Sequence, residues 1–235
     1  MWNNKLKAFT FSFDDGVVQD RRTIEILDKY GLRATFNVNS GYLGVPNAID
    51  RNGVHVDHTK VEASEVRELY KNHEVAVHTL THPGLFDISD ETLIRQVEED
   101  RIALSELWGR PVTGMAYPFG QSNEHIADVL RAHTGVLYSR TIRSTGNFDL
   151  QDNLYLFNPT VYYINVEDMF RLGREFLALT PDTPKLFYVW GHTYEMDANY
   201  ISWEKFEEFC AMMAGHDDIF YGTNAEVLLD KEGSR

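Results

Sequence analysis

A single cysteine, Cys210, stands in 235 residues, so no intrachain disulfide can staple the chain. Glycine and proline are sparse at 16 and 7, which excludes collagen-like repeats and low-complexity linkers. Positive charge is also short: 22 Lys and Arg face 36 Asp and Glu, a formal net charge of −14. A surface of that sign repels phosphate backbones and anionic headgroups, so neither nucleic acid nor a membrane surface is an expected partner. No apolar run approaches the ~20 residues that a spanning helix needs. Met1-Trp2-Asn3-Asn4-Lys5 carries no signal-peptide core, and the chain as given reads as cytoplasmic.

What is present is the material of a packed core, 43% hydrophobic and 13% aromatic residues, at a length that fits one domain over residues 1–235. Short apolar runs alternate with amphipathic stretches, the order expected of strand-helix units around a parallel sheet. Strands are predicted at 8–13, 34–38, 74–77, 112–116, 136–140, 160–163, 185–190 and 219–221. Helices are predicted from about Asp20 to Tyr30, around Ala63 to Tyr70, from Ser89 or Asp90 to Trp108, and from Asn123 to His133. Two more are expected, one opening at Asn165 and one capped by Ser202, with Cys210 on the buried face of the latter. Seven to eight strands in this order fit a distorted (β/α) barrel better than an open sheet. Residues 39–58 read as a polar loop, and a loop of that length is expected to lie over a site.

In barrels of this kind polar residues just past a strand carry chemistry. The first such place is Asp14-Asp15-Gly16, where Gly16 permits a turn that brings both carboxylates to one site. The second is His78-Thr79-Leu80-Thr81-His82-Pro83. The preceding strand and the following proline leave little room for a helix, and a turn brings both imidazoles to one point. Two histidines and a carboxylate are a common open set for a divalent ion.

With these two motifs the chain resembles the polysaccharide deacetylases of carbohydrate esterase family four, the NodB-homology domain. That resemblance implies Asp14 as general base, Asp15, His78 and His82 as ligands, and a divalent ion, zinc first, with cobalt, nickel or manganese as the other candidates. It implies removal of an N-acetyl group from an amino sugar or oligosaccharide. A non-sugar amidase, deformylase or imidase on the same scaffold is the alternative, as is a catalytically silent carbohydrate-binding protein.

Ala116-Tyr117-Pro118-Phe119-Gly120 resembles the family's third motif, which implies that the Phe119 amide helps to form an oxyanion hole. The family's arginine is replaced by Ala116. Arg140, at the end of the next strand, is the expected substitute partner of Asp14, with Arg143 in reserve. Trp190-Gly191-His192 resembles the late histidine motif and implies His192 as general acid, with Glu195 or Asp149 in place of the usual aspartate. Tyr117, Trp190 and Tyr194 are candidates for substrate contact, and Trp203 for stacking on a sugar face. His55, Asp57 and His58 read as solvated loop residues rather than a second metal site.

Overall fold

The computed structural model describes residues 1–229. Eight of its ten strands are parallel neighbours in one sheet: β1 (Lys7–Asp14), β2 (Ala34–Val38), β5 (Glu74–Val77), β6 (Gly114–Ala116), β7 (Tyr138–Arg140), β8 (Val161–Tyr162), β9 (Lys185–His192) and β10 (Ile219–Tyr221). They run in the order β7-β6-β5-β2-β1-β9-β8, with β10 also on β1. The sheet curls into the expected distorted barrel but does not close, because no ladder joins β7 to β8 among the described residues. An isolated bridge between Arg140 and Phe157 spans part of that gap.

The alternation of β1 explains its place at the centre. Phe9, Phe11 and Phe13 point outward into the helix layer, where Phe11 meets Phe206 and Phe209 at ring separations of 5.7 and 6.1 Å. Thr10, Ser12 and Asp14 point into the barrel, where Thr10 Oγ1 bonds Asn224, and Ser12 and Asp14 both accept from Asn37. Both faces are buried, one apolar and one polar. β9 repeats the pattern: Phe187 packs on Phe176 and Phe209, while Trp190 and His192 face inward. Register then sets Asp14 beside His192 on one side and Asn37 on the other, and Ala116 beside Arg140.

Around the sheet lie α1 (Asp20–Lys29), α2 (Val66–Leu69), α3 (Asp90–Trp108), α4 (Glu124–His133), α5 (Val166–Ala178), α6 (Trp203–Met213) and α7 (Asn224–Leu228). Ser89, Asn123 and Ser202 cap α3, α4 and α6 through their side chains, whereas Asn165 makes no such bond to α5. Cys210 is buried, as its helical period predicts. No helix among the described residues is long and apolar enough to cross a membrane.

The polar stretch 39–58 is more ordered than its composition suggests. It holds an antiparallel hairpin, β3 (Ala48–Arg51) and β4 (Val54–Asp57), turned by Asn52 and Gly53 at φ 51° and 74°. Two consecutive left-handed residues are what a two-residue hairpin turn with the native twist demands. Ile49, Val54 and Val56 pack with Val17, Tyr194 and Ala198, and Asn52 Nδ2 donates to the Ala198 carbonyl at 3.1 Å. The hairpin is thereby fixed to the chain that follows β9.

Candidate active site

The C-terminal ends of β1, β5, β6, β7 and β9 meet at one cavity of about 610 Å³, and residues 39–58 form one wall of it. The turn after β1 begins on Asp15 itself, at φ 85°, ahead of Gly16 at φ 61°. Thr79, His82 and Phe119 also sit at positive φ, of 66°, 51° and 55°. Non-glycine residues pay on the order of 1–3 kcal/mol for such conformations, which persist where the surroundings enforce them. Here the enforcement is visible: the Asp15 N–H donates to the Asn37 carbonyl and Lys60 Nζ to the Asp15 carbonyl, both at 2.9 Å.

This turn brings Asp15 Oδ1 to 3.8 Å from His78 Nε2 and 3.7 Å from His82 Nε2, with one ligand atom of each residue all within 4.8 Å. His78 Nδ1 donates to the Ala116 carbonyl at 2.8 Å, which fixes the proton on Nδ1 and leaves the Nε2 lone pair toward Asp15. Burial, then the neighbouring His78, lowers His82 to about 4, and burial lowers His78 as well, so both rings are neutral. Burial works against the Asp15 anion, but the hydrogen bond from His58 and the charge of Lys60 hold it well below the usual range. One carboxylate and two neutral imidazoles at this spacing suit a divalent ion of the zinc type. Asp100 on α3 accepts from the Ser40 N–H and hydroxyl and from the His78 N–H, at 2.7, 2.6 and 3.1 Å, tying the strand end that carries His78 to the start of the 39–58 segment.

Asp14 sits on the other side. Arg140 is fully buried, and its Nη2 lies 2.5 Å from each carboxylate oxygen, while Asn37 Nδ2 donates to Oδ1 at 2.9 Å. Burial raises Asp14, but Arg140 and the nearby histidines outweigh it and the carboxyl is lowered. The guanidinium also lies over Trp190, 4.5 Å from the ring centre. His192 Nε2 is 4.0 Å from Asp14 Oδ2, and its Nδ1 is 3.3 Å from Glu195 Oε1. Burial disfavours the His192 cation, yet Glu195, with Asp15 and Asp14 behind it, raises the ring to about 9. Of the two acids weighed for this position, Asp149 is at the wrong end of β9, paired with Lys185 at 2.6 Å. Arg143 is exposed and forms no pair with Asp14.

Several expected contacts take a different form. Tyr117 lines the cavity but its hydroxyl donates to the Tyr155 carbonyl at 2.7 Å, leaving it no free polar end. Trp190 is stacked on Tyr162 at 4.1 Å as well as under Arg140, so its face is occupied by the protein. Trp203 donates to Asp197 at 2.8 Å, lies under Arg22 and is not among the cavity residues. Tyr194 does line the cavity, between His58 and His192. Phe119 is 65% exposed and edge-on to His82 at 4.5 Å, and its amide has no partner among the described residues. His58 is buried rather than solvated: Asn47 Nδ2 lies 3.2 Å from its Nδ1, and its Nε2 is 3.2 Å from Asp15 Oδ2. His55 and Asp57 are exposed and belong to no metal cluster.

His58, Lys60, Asn37, Asp100 and Tyr162 are thus site residues that the sequence alone did not single out. The Asn-Gly turn at 52–53 was the available signal for the first two, since a hairpin there returns the chain to the site. Asn37 and Tyr162 stand in apolar strand runs and Asp100 in a charged stretch of α3, each with no motif around it.

No curated protein matches the chain. Among solved structures, a candidate polysaccharide deacetylase from Mycobacterium smegmatis is similar over 96% of this chain and 90% of its own, at 18% identity and TM-score 0.66. A family 4 carbohydrate esterase from Streptomyces lividans, solved with acetate, covers 93% of this chain and 92% of its own at 15% identity and TM-score 0.57. A polysaccharide deacetylase from Bacillus cereus covers 63% of this chain at 20% identity and TM-score 0.52, and this chain spans only 44% of its length. Likeness at such identities is a likeness of fold. The sequence itself carries the assignment: the polysaccharide deacetylase family model matches residues 3–136, more than half of the chain, and the protein belongs to that family.

Proposed function

We propose that the protein is a metal-dependent hydrolase that removes an N-acetyl group from an amino sugar or oligosaccharide. One observation carries the reading. Asp14, clamped by a buried arginine, and His192, paired with Glu195, lie 4.0 Å apart beside the triangle of Asp15, His78 and His82. A site built only to bind sugar requires neither a general base nor a general acid, so the silent-binder alternative is disfavoured.

Asp15, His78 and His82 would hold the ion, zinc first by the chemistry of the donor set, with cobalt, nickel or manganese next. Once bound, it supplies Lewis acidity to the acyl carbonyl and to the attacking water. Asp14 accepts the proton of that water, and Arg140 keeps the carboxylate ionised and aimed. The Phe119 amide donates to the oxygen that gains negative charge. His192, at about 9, is protonated at neutral pH and gives its proton to the departing nitrogen. One proton is taken from water and one is delivered to the amine.

A second reading, cleavage of a non-sugar amide, formamide or cyclic imide, is favoured by one feature: Trp190 is stacked within the protein and not presented to a sugar face. An assay of the metal-loaded protein against N-acetylated oligosaccharides, formamides and cyclic imides separates the two. The roles at the adjacent carboxylates are checked by substitution. Asp14→Asn should keep bound metal and lose turnover by about 100-fold or more, whereas Asp15→Asn should lose the metal. Equal metal loss in both variants refutes the division.

A further inference from the structure

The wall formed by residues 39–58 holds a cation that the catalytic scheme does not use. Strand periodicity divides the hairpin into two faces. On the outer face Asp50 and His55 are register partners and pair at 2.9 Å. On the other face lie Ile49 and Arg51, opposite Val56 and Val54, and both Ile49 and Arg51 line the cavity. The Arg51 guanidinium donates only to the carbonyl of its neighbour Asp50, at 3.0 Å, and interacts with the Tyr194 hydroxyl. No carboxylate pairs with it among the described residues, in a chain where acids outnumber bases 36 to 22. An arginine aimed into a cavity and left without a counter-ion is a ready partner for a bidentate oxyanion.

The backbone that carries this exposed side chain is fixed rather than loose. Asn52, the next residue, is tied to the Ala198 carbonyl, and Gln19 Nε2 bridges the Asp57 carbonyl and Asp197 at 2.7 and 2.9 Å. Of the other basic groups lining the cavity, Lys60 is committed to the Asp15 carbonyl and His192 to Glu195. Arg51 therefore stands as the cation available to a bound molecule, with Tyr194 linking its neighbourhood to His192 at 5.2 Å between rings.

We propose that Arg51 forms an anion subsite at the mouth of the cavity, selecting N-acylated substrates that carry a carboxylate or phosphate on the part away from the scissile bond. The proposal rests on the deacetylase reading for the location of that bond. The Tyr194 hydroxyl shares the anion with the guanidinium, and Ile49 and Val45 give the rim an apolar edge.

Three probes sharing one N-acetyl group test it: N-acetylglucosamine (neutral), N-acetylmuramic acid (carboxylate) and N-acetylglucosamine 6-phosphate. Turnover is measured with the metal-loaded protein, and binding by calorimetry with its Asp14→Asn variant. Wild type should favour at least one anionic probe by about 10-fold or more in KM, and Arg51→Gln should bring the ratio close to one. The same loss should appear in the binding constants, and Arg51→Lys should restore part of it. The preferred anion tells carboxylate from phosphate. Equal affinity for all three, no binding of any, or a preference that survives Arg51→Gln overturns the subsite. Absence of turnover with an Arg51-dependent preference intact in the binding data removes the deacetylase reading and leaves the subsite standing.

Discussion

Placing a guanidinium and a carboxylate in the interior is costly unless each satisfies the other, and Arg140 with Asp14 is such a pair. Ala116 leaves a methyl group where the family resemblance implies an arginine, and its register neighbour on β7 places a charge beside Asp14 instead. From the sequence alone, loss of Arg140 reads as a functional change with little effect on stability. The structure revises that expectation, because truncation strands a buried carboxylate. Arg140→Ala is expected to cost about 3–5 kcal/mol of stability and to raise the pKa on the acidic limb of the rate profile, since a cation that lowers Asp14 is gone. Arg140→Lys should recover part of the stability and less of the rate, as it keeps the charge and loses the fork. Chemical denaturation and a pH series on both variants check this. A rate profile unmoved in Arg140→Ala would show that the arginine does not act on the base.

At the scale of elements, most strands and helices were legible because the core demands them. The Phe9, Phe11, Phe13 alternation and the helical period through Phe206, Phe209, Cys210 and Met213 are each enforced by burial on a defined face. The grouping of Asp15, His78 and His82, with Asp14 beside it, was legible through motif and chain order. The hairpin was not, because its strands are short and largely exposed, and hydrophobic periodicity is weakest where little is buried. His58 was misplaced with it: as a loop residue it reads as solvated, and only the returning β4 strand carries it to Asp15. The turn that sets this wall is open to test. A Cβ on Gly53 meets nothing within 4 Å, so Gly53→Ala pays only for the left-handed backbone, about 1–2 kcal/mol. The expected result is faster amide exchange in Val54–Asp57, with the central sheet unaffected. Unchanged exchange there would mean that the contacts with Tyr194 and Ala198, and not the turn, hold the wall.

For the whole molecule, a buried acid that forms no ion pair among the described residues makes stability depend on pH. Asp20 is fully buried; burial outweighs the hydrogen bonds from Thr193 and Tyr70 and raises it to about 7, from 3.8 when unfolded. The folded state thus holds a proton that the unfolded state releases. The contribution of this group is complete below about pH 4 and is lost as pH rises through 7, amounting to a few kcal/mol. Asp100, also raised to about 7, acts in the same direction. Asp20→Asn should flatten the fall in stability between pH 5 and 8 without abolishing it, as urea midpoints on the metal-free protein would report. An equal slope in the variant would place the dependence elsewhere.

β1 takes partners from opposite ends of the chain. β9 covers one of its edges along its whole length, while the other edge is shared, β10 on residues 7–9 and β2 on residues 11–14. The central strand is therefore made before every strand that pairs with it and is fully paired only when the last of them arrives. Until Ile219–Tyr221 emerges, a nascent chain carries a phenylalanine-rich strand with an incomplete edge, the kind of surface that invites chaperones during synthesis and aggregation when synthesis is interrupted.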